Sequence, residues 1–458
     1  MDDRRQKALE YAHQNRDAYL NSLKSLVEIP SISTSIDHKK AISETAEWLA
    51  TRLRKMGFSK VALYPTNGHP VVFGEYFSGK PGLKTVLIYG HYDVQPVEPL
   101  DLWETPPFKP SIRGDNLFAR GASDMKGQVM ASLNAVEAIL SAGEPPVNIK
   151  YMIEGEEEIG SPNLAPFLKQ NTKMLAADIV LNPDSGILGE DFPTLTYALR
   201  GLAYFELRVY GPAHDLHSGL FGGIVHNPAQ ALAEIIAGMH DENGRITLPG
   251  YYDSVREMAA DEREDIARLP LGDNFFQEQT GAEKLWGESG YTAAERVGAR
   301  PTLEINGLLS GFTGHGSKTV IPAWAMAKIS MRLVPDQKPD DVHQQLLKYL
   351  ENKAPSTIRW ELIRMAGGPP SFTDRNHPAS QAMSQAIESI WGKRPVFKRE
   401  GGSIPIVAEM QETLGIDSVL TGFGLPEDNI HAPNEKLHLP TWYRGIDALI
   451  HFFYNYGA

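Results

Sequence analysis

His91 and Asp93 follow directly on the apolar run TVLIYG, Thr85 to Gly90. If that run continues as a strand, side chains at i and i+2 share one face, so the imidazole and the carboxylate stand together. One could ligate a metal while the other orients the ring, the arrangement that fixes a ligand's tautomer. A lone His-x-Asp is also read as a hydrogen-bonded structural pair. Asp124 sits in RGASDMKG, Arg120 to Gly127, a turn feeding a helix where a carboxylate is equally a common cap. Glu154-Gly155-Glu156-Glu157-Glu158 ends another apolar strand. Adjacent carboxylates repel one another and need solvent, a cation or a raised pKa to share a site. Asp184 ends a third strand in LNPDSG, an ordinary turn sequence, and His431 lies far along the chain in NIHAPNEKL.

Each segment has a plain structural reading, but together they supply two histidines and at least three carboxylates. The chain contains no cysteine. That removes disulfides, thiolate nucleophiles and thiolate-ligated zinc, and leaves any metal to histidine and carboxylate. The combined set is the one a hydrolytic zinc or manganese pair uses when thiolates are absent. With 44 Lys and Arg against 57 Asp and Glu, the formal net charge of −13 would repel a phosphate backbone, so nucleic acid is not an expected partner. No apolar run is long enough to cross a bilayer. The charged opening MDDRRQKALEYAHQ lacks the apolar core and cleavage site of a secretory signal. A cytoplasmic protein without membrane contact is the expectation.

Positioning these residues requires a scaffold that gathers strand ends. At 458 residues the chain exceeds one compact domain, and 42% hydrophobic with 22% charged residues is the balance of an ordinary globular protein. Helical spacing before Pro30 and from about Ala41 to Met56 opens the chain. VVFGEYF, TVLIYG, NIKYMIEGE and ADIVLNPD then alternate with helices, including one from about Gly127 to Ala142. This predicts an α/β catalytic domain whose mostly parallel central sheet is flanked by helices. From Arg200 the pattern changes: YFELRVYG and MAKISMRLVP alternate as half-exposed antiparallel strands. Residues 200–375 are therefore expected to form an inserted α+β domain, with 1–199 and 376–458 making the first. The stretch from about Asp241 to Arg300 is read as helical excursions or a long loop. Breaker-rich GGPPSFTDRNHP is the linker back, followed by a helix from Ala379 to Trp391 and a terminal helix from about Trp442.

GHYDVQP, RGASDMKGQ, EGEEEIGS, NPDSG, HSGLFGG, KTVIPA, REGGSIPI and HAPNEKL occur in the order and at the spacings of the M20 metallopeptidases. The chain resembles that family from about Leu20 almost to its end, most closely the carnosinase-like dipeptidases. The resemblance implies two divalent metal ions per chain, zinc or manganese. It assigns His91 and Asp184 to one ion, Glu158 and His431 to the other, and the Asp124 carboxylate as the bridge. Asp93 orients His91, and Glu157 is the general base that moves a proton from the attacking water to the leaving nitrogen. Gly160-Ser161 sets that register and leaves Glu156 outside the ligand set. The peptide bond Asp124-Met125 is expected to be cis. The inserted domain is implied to be a lid and dimerisation domain, with a homodimer joined through it. His217 would reach the partner copy's site and donate to the oxyanion, a contact of the kind that contributes ~3 kcal/mol. Arg332 and Thr319 match substrate-contacting positions, and Gly402 and Ser403 match the loop that receives the substrate's C-terminal carboxylate. Read as plain residues, Arg332 is also an ordinary solvated strand side chain and His217 an ordinary polar turn residue.

The implied activity is amide hydrolysis of a small peptide. Aspartate rather than glutamate at 184, the long insertion and REGGSIP fit the dipeptidase branch. An N-acyl-amino-acid amidohydrolase would share every ligand while accepting a blocked amine. A catalytically silent metal- or peptide-binding protein on the same scaffold, and a structural protein with dispersed acidic turns, are the readings from other classes.

Overall fold

The computed structural model describes residues 3–402 and 404–458. Strands relevant to the site are, in chain order, β1 (Lys60–Tyr64), β2 (Val71–Tyr76), β3 (Thr85–His91), β4 (Asn148–Glu154), β5 (Ile179–Asn182), β6 (Thr194–Leu199), β7 (Gly201–Tyr210), β8 (Thr302–Ser310), β9 (Trp324–Leu333), β10 (Arg359–Gly368) and β11 (Ser418–Leu420). The main helices are α1 (Asp3–Gln14), α2 (Arg16–Val27), α3 (Lys39–Lys55), α4 (Lys126–Ser141), α5 (Pro228–Ala237), α6 (Pro339–Lys353), α7 (Pro378–Trp391) and α8 (Leu439–Tyr456). They form two compact units.

The first unit comprises 1–197, 373–397 and 409–458. Its sheet runs β1-β2-β4-β3-β5-β11-β6. The centre is parallel, β4 with β3, β3 with β5 and β5 with β11, whereas β1, β2 and β6 pair antiparallel toward the edges. The expected parallel pairs are therefore the central ones, and the sheet as a whole is mixed. Every residue of β4 is buried, and β3 is buried beyond its first residue. That is why their sequences read as apolar runs without alternation. Helix α4 lies against β3 and is enclosed by α1, α2 and α8. It is buried from Lys126 to Val136, polar residues included. Lys126 satisfies its ammonium on the carbonyls of Leu26 and Ile29 at 3.2 and 2.6 Å, at the end of α2. Trp442 of α8 donates to the Gly127 carbonyl at 2.8 Å. The start of α4 is thus held from both sides, immediately after Asp124.

The second unit comprises 198–372 and 398–408. Its antiparallel sheet, β8-β9-β7-β10, alternates buried and partly exposed residues along β9 as the period-2 pattern requires. Phe205, Leu207, Ile329, Met331 and Leu346 of α6 belong to its core. The uncertain region contains short helices at Ala260–Ala267, Asp273–Thr280 and Ala293–Ala299 joined by loops. The last begins with a capping box between Thr292 and Glu295, a four-residue signature present in the sequence. The return boundary, between Phe372 and Thr373, falls inside the breaker-rich linker. One segment departs from the expected division: 398–408 packs with the second unit. Arg399 donates to Glu262 at 2.6 Å and the Gly401 carbonyl accepts from Arg200 at 3.0 Å, ties that local sequence does not announce. Among the described residues no helix is long and apolar enough to cross a membrane.

Gly127 tests how tightly the Asp124 turn is packed. A Cβ there would overlap the Ala122 carbonyl and sit 2.8 Å from Leu437. Gly127→Ala is expected to destabilise the protein by about 1 to 3 kcal/mol in denaturant unfolding. An unchanged midpoint would show that this turn is not close-packed.

Candidate metal centre

Of the proposed ligands, Asp184 lies just past β5, Asp124 just ahead of α4, Glu158 in a 3₁₀ turn after β4, and His431 in a loop. His91 closes β3 and is fully buried. Its Nε2 lies 3.2 Å from Asp124 Oδ1 and 3.9 Å from Asp184 Oδ2, and it makes no hydrogen bond. His431 places its Nε2 2.8 Å from Asp124 Oδ2 and 3.3 Å from Glu158 Oε2. Two groups with metal-ligand spacing result: His91, Asp124 and Asp184, and Asp124, Glu158 and His431. Asp124 is common to both and turns one carboxylate oxygen toward each imidazole. The donor set is nitrogen and oxygen only, and the buried His91 Nε2 without a partner is what a metal ligand looks like when protein atoms alone are counted. These residues fit a pair of divalent cations.

Asp93 organises two segments at once. Its carboxylate accepts from the backbone N–H of Glu157 at 3.2 Å and of Glu158 at 3.1 Å. His91 Nδ1 lies 3.4 Å from the same carboxylate and 3.1 Å from the Asp93 backbone carbonyl. Nδ1 therefore faces only acceptors, which places a ring hydrogen there and aims Nε2 at Asp124 and Asp184. The Asp124-Met125 peptide bond is cis. Glu157 and Glu158 share a single 3₁₀ turn closed by left-handed Gly160.

Crowded acids govern the electrostatics. Burial, reinforced by the carboxylates of Asp124, Glu157 and Glu158, pushes Asp184 up to about 8. Burial, reinforced by Glu158, Asp124 and Asp93, also raises Glu157. Burial works against a charge on His91, yet Asp124, Asp93 and Asp184 hold it well above the ordinary imidazole range. Asp124 and Glu158 lift His431 to about 10, while the two imidazoles hold Asp124 well below the usual carboxylate range despite its burial. A divalent cation in each group would neutralise this excess of acid directly.

The other acids of EGEEE have separate tasks. Glu156 is buried and accepts from Asn163 Nδ2 through both oxygens, at 3.1 and 3.0 Å. Burial and Asp93 push Glu154 up to about 8, and it accepts from Tyr89 and Ser161. Gln95 was not singled out by sequence reasoning, although it donates to Glu158 Oε2 at 2.7 Å.

The remaining candidates belong to the second unit. His217 pairs with Val320 in a short ladder, and the next residue, Ser218, donates to the Thr319 carbonyl at 3.0 Å. His217 Nδ1 accepts from the Gly219 N–H at 2.9 Å, so Nε2 carries the hydrogen on an exposed ring. Arg332 lies on β9 opposite Thr302, and Gly402 is exposed. Ser403 lies outside the described residues.

Residues 87–455 match peptidase family M20/M25/M40. The chain is 33% identical over 457 residues to the Cys-Gly metallodipeptidase of Schizosaccharomyces pombe, covering 96% of each chain. It is 30% identical over 466 residues to the Beta-Ala-His dipeptidase of Homo sapiens, covering 98% of this chain and 92% of that one. It also resembles the crystal structure of an M20 family metallo-carboxypeptidase from Sulfolobus solfataricus, with TM-score 0.80 and 36% identity, covering 96% of this chain and 99% of that one.

The pKa shifts set a pH response once cations are removed by chelation. Asp184 retains its proton up to about 8 when folded, so its contribution is complete below its ordinary 3.8 and is lost as pH rises through 8. The contribution of protonated His431 is complete below 6.5 and is lost as pH rises through about 10. Lys126, brought down to about 7 by burial, acts oppositely but is one group against two. Chelated protein is expected to melt at lower temperature at pH 9 than at pH 6.5, with added Zn²⁺ or Mn²⁺ removing most of the difference. A melting temperature that climbs across this window without metal would contradict the assignment.

Proposed function

The chain belongs to peptidase family M20/M25/M40, and from that premise we propose that it is a dinuclear metal-dependent dipeptidase acting on small peptides with a free C-terminus. The observation that carries this reading is the Asp124 carboxylate, which presents one oxygen to His91 and the other to His431. His91, Asp124 and Asp184 would hold one cation, and Asp124, Glu158 and His431 the second. Zinc or manganese bound there supplies Lewis acidity and brings the pKa of water toward neutrality.

Glu157 is the general base. It stands outside both ligand groups and shares a turn with Glu158, and burial raises it, which strengthens it as a base. It takes the proton from the attacking water and passes it to the leaving nitrogen. Asp93 keeps His91 and the Glu157 turn in register. His217 is assigned as oxyanion donor through Nε2–H, reaching the site of a partner copy, with Thr319 and Arg332 on the substrate. Gly402 and Ser403 receive its terminal carboxylate. The first unit is then the catalytic domain and the second the lid and dimerisation domain of a cytoplasmic homodimer.

The substrate class rests on the two relatives named as dipeptidases, for Cys-Gly and β-Ala-His. Release of a C-terminal residue from longer peptides is the second reading, favoured by the similarity to the metallo-carboxypeptidase. Aspartate at 184 supports the first.

Metal-stripped protein given two equivalents of Zn²⁺ or Mn²⁺ is expected to cleave free dipeptides while leaving N-acetylated dipeptides and tetrapeptides largely intact. Cleavage confined to the acetylated compounds would instead identify an amidohydrolase, and preference for tetrapeptides a carboxypeptidase. Glu157→Gln should keep both ions and lose at least about 100-fold in kcat; near-normal turnover would remove Glu157 as base. Mixed dimers of His217→Ala with Glu157→Gln should regain part of the activity that each lacks alone, and no recovery in verified mixed dimers would end the assignment of His217 in trans.

A further inference from the structure

The segment HAPNEKL contributes a second buried acid that belongs to neither ligand group. Glu435 is fully buried, and both of its oxygens are occupied by donors from a single turn. Oε1 accepts from the backbone N–H of Ser123 and of Asp124, each at 3.0 Å. Oε2 accepts from the Gly121 N–H at 2.9 Å and from Arg120 Nη1 at 2.8 Å. The Glu435 backbone carbonyl accepts from Ala119 at 3.1 Å. One residue thereby clasps the whole of 119–124, the turn that ends in the bridging carboxylate.

The loop that delivers His431 needs such a clasp. Asn429, His431 and Asn434 adopt φ of +54, +59 and +60. Left-handed backbone at non-glycine residues persists only where the surroundings over-determine it. Asn434 supplies one anchor, donating to the Leu102 carbonyl at 2.8 Å and accepting from the Glu104 N–H at 2.9 Å. Asp428 adds another at the opposite end of the loop, accepting from Ser123 Oγ at 2.8 Å. Among the described residues, Glu435 is the one that joins the His431 loop to the backbone N–H of Asp124 itself.

We infer that Glu435 is a positioning residue of the metal centre, its carboxylate setting the distance and register between Asp124 and His431 so that both can hold the same ion. It is not itself a ligand, because its acceptor positions are filled by N–H donors. The inference rests on the dinuclear reading above. Glu435→Gln nearly preserves shape but sets an amide NH₂ against one of the two donor pairs, Ser123 and Asp124 N–H or Gly121 N–H and Arg120, leaving that pair without an acceptor and Arg120 without its counter-charge in either orientation.

The test uses full-length protein freed of metal by chelation, titrated with Zn²⁺ against a chromophoric chelator, with melting recorded before Zn²⁺ is added. Wild type should bind two ions. Glu435→Gln should hold at least one of them ten- to a hundred-fold more weakly, the range usual when the partner of a ligand is lost. The double variant Arg120→Met/Glu435→Gln removes the unpaired guanidinium; it should recover melting temperature without recovering affinity, a separation that a merely structural role would not produce. If the single variant fails to fold, the double variant decides. Two ions bound within two-fold of wild-type affinity by either folded variant would overturn the inference while leaving the dinuclear reading intact. A wild-type protein that binds no stoichiometric Zn²⁺ would remove both.

Discussion

Too much negative charge in too small a volume is the constraint on which the rest of the centre depends. Asp93, Asp124, Glu157, Glu158 and Asp184 converge on two imidazoles. Two like charges ~4 Å apart repel by roughly 4 kcal/mol at an effective dielectric of 20, whereas a protein hydrogen bond nets only about 1 kcal/mol. Hydrogen bonding can therefore order these acids but not neutralise them. The chain has no thiolates with which to vary the ligand set, and the imidazoles already lean toward carrying charge. Divalent cations would neutralise this excess directly, and the nitrogen and oxygen donors of the two groups fit such ions.

The scaffold holds this arrangement by bringing the C-terminal ends of β3 and β4 side by side. They are parallel neighbours with His91 opposite Glu154, and the Tyr92 N–H donates to the Glu154 carbonyl at 2.8 Å. Gly155 permits that approach, since a Cβ there would overlap the Tyr92 ring. Asp93 then accepts from the next turn, so a strand end and an acidic loop become one rigid piece. Ligands gathered at the carboxyl ends of parallel strands follow the general behaviour of open α/β sheets. Helix α4 supplies the other wall, and its buried polar start is satisfied by the end of α2 and by Trp442. The second unit uses different rules: an antiparallel sheet with alternating burial can leave a polar residue such as Arg332 partly accessible, and His217 is exposed on a separate two-stranded ladder.

Much of this was legible from sequence because it is local. Unbroken apolar runs marked β3 and β4, since strands buried on both faces lose their alternation, and alternation marked β7 and β9. The stretch from about Asp241 to Arg300 was hard to read because its helices are short and weakly periodic. The placement of 398–408 was not legible, since it depends on Arg399 meeting Glu262 and on Gly401 meeting Arg200 across long stretches of chain.

For the centre itself, the sequence by itself determined the chemistry: which residue types follow the buried strands, and that thiolates are absent. Period and composition are properties of neighbouring residues, so they survive without the fold. Only the tertiary structure decided that the two oxygens of Asp124 face different histidines, that Asp93 accepts from the Glu157 turn, and that Glu435 grips Asp124 from 311 residues away. Those contacts are hydrogen bonds and charge pairs closed across the fold, where distance and angle determine the energy and no local pattern records them.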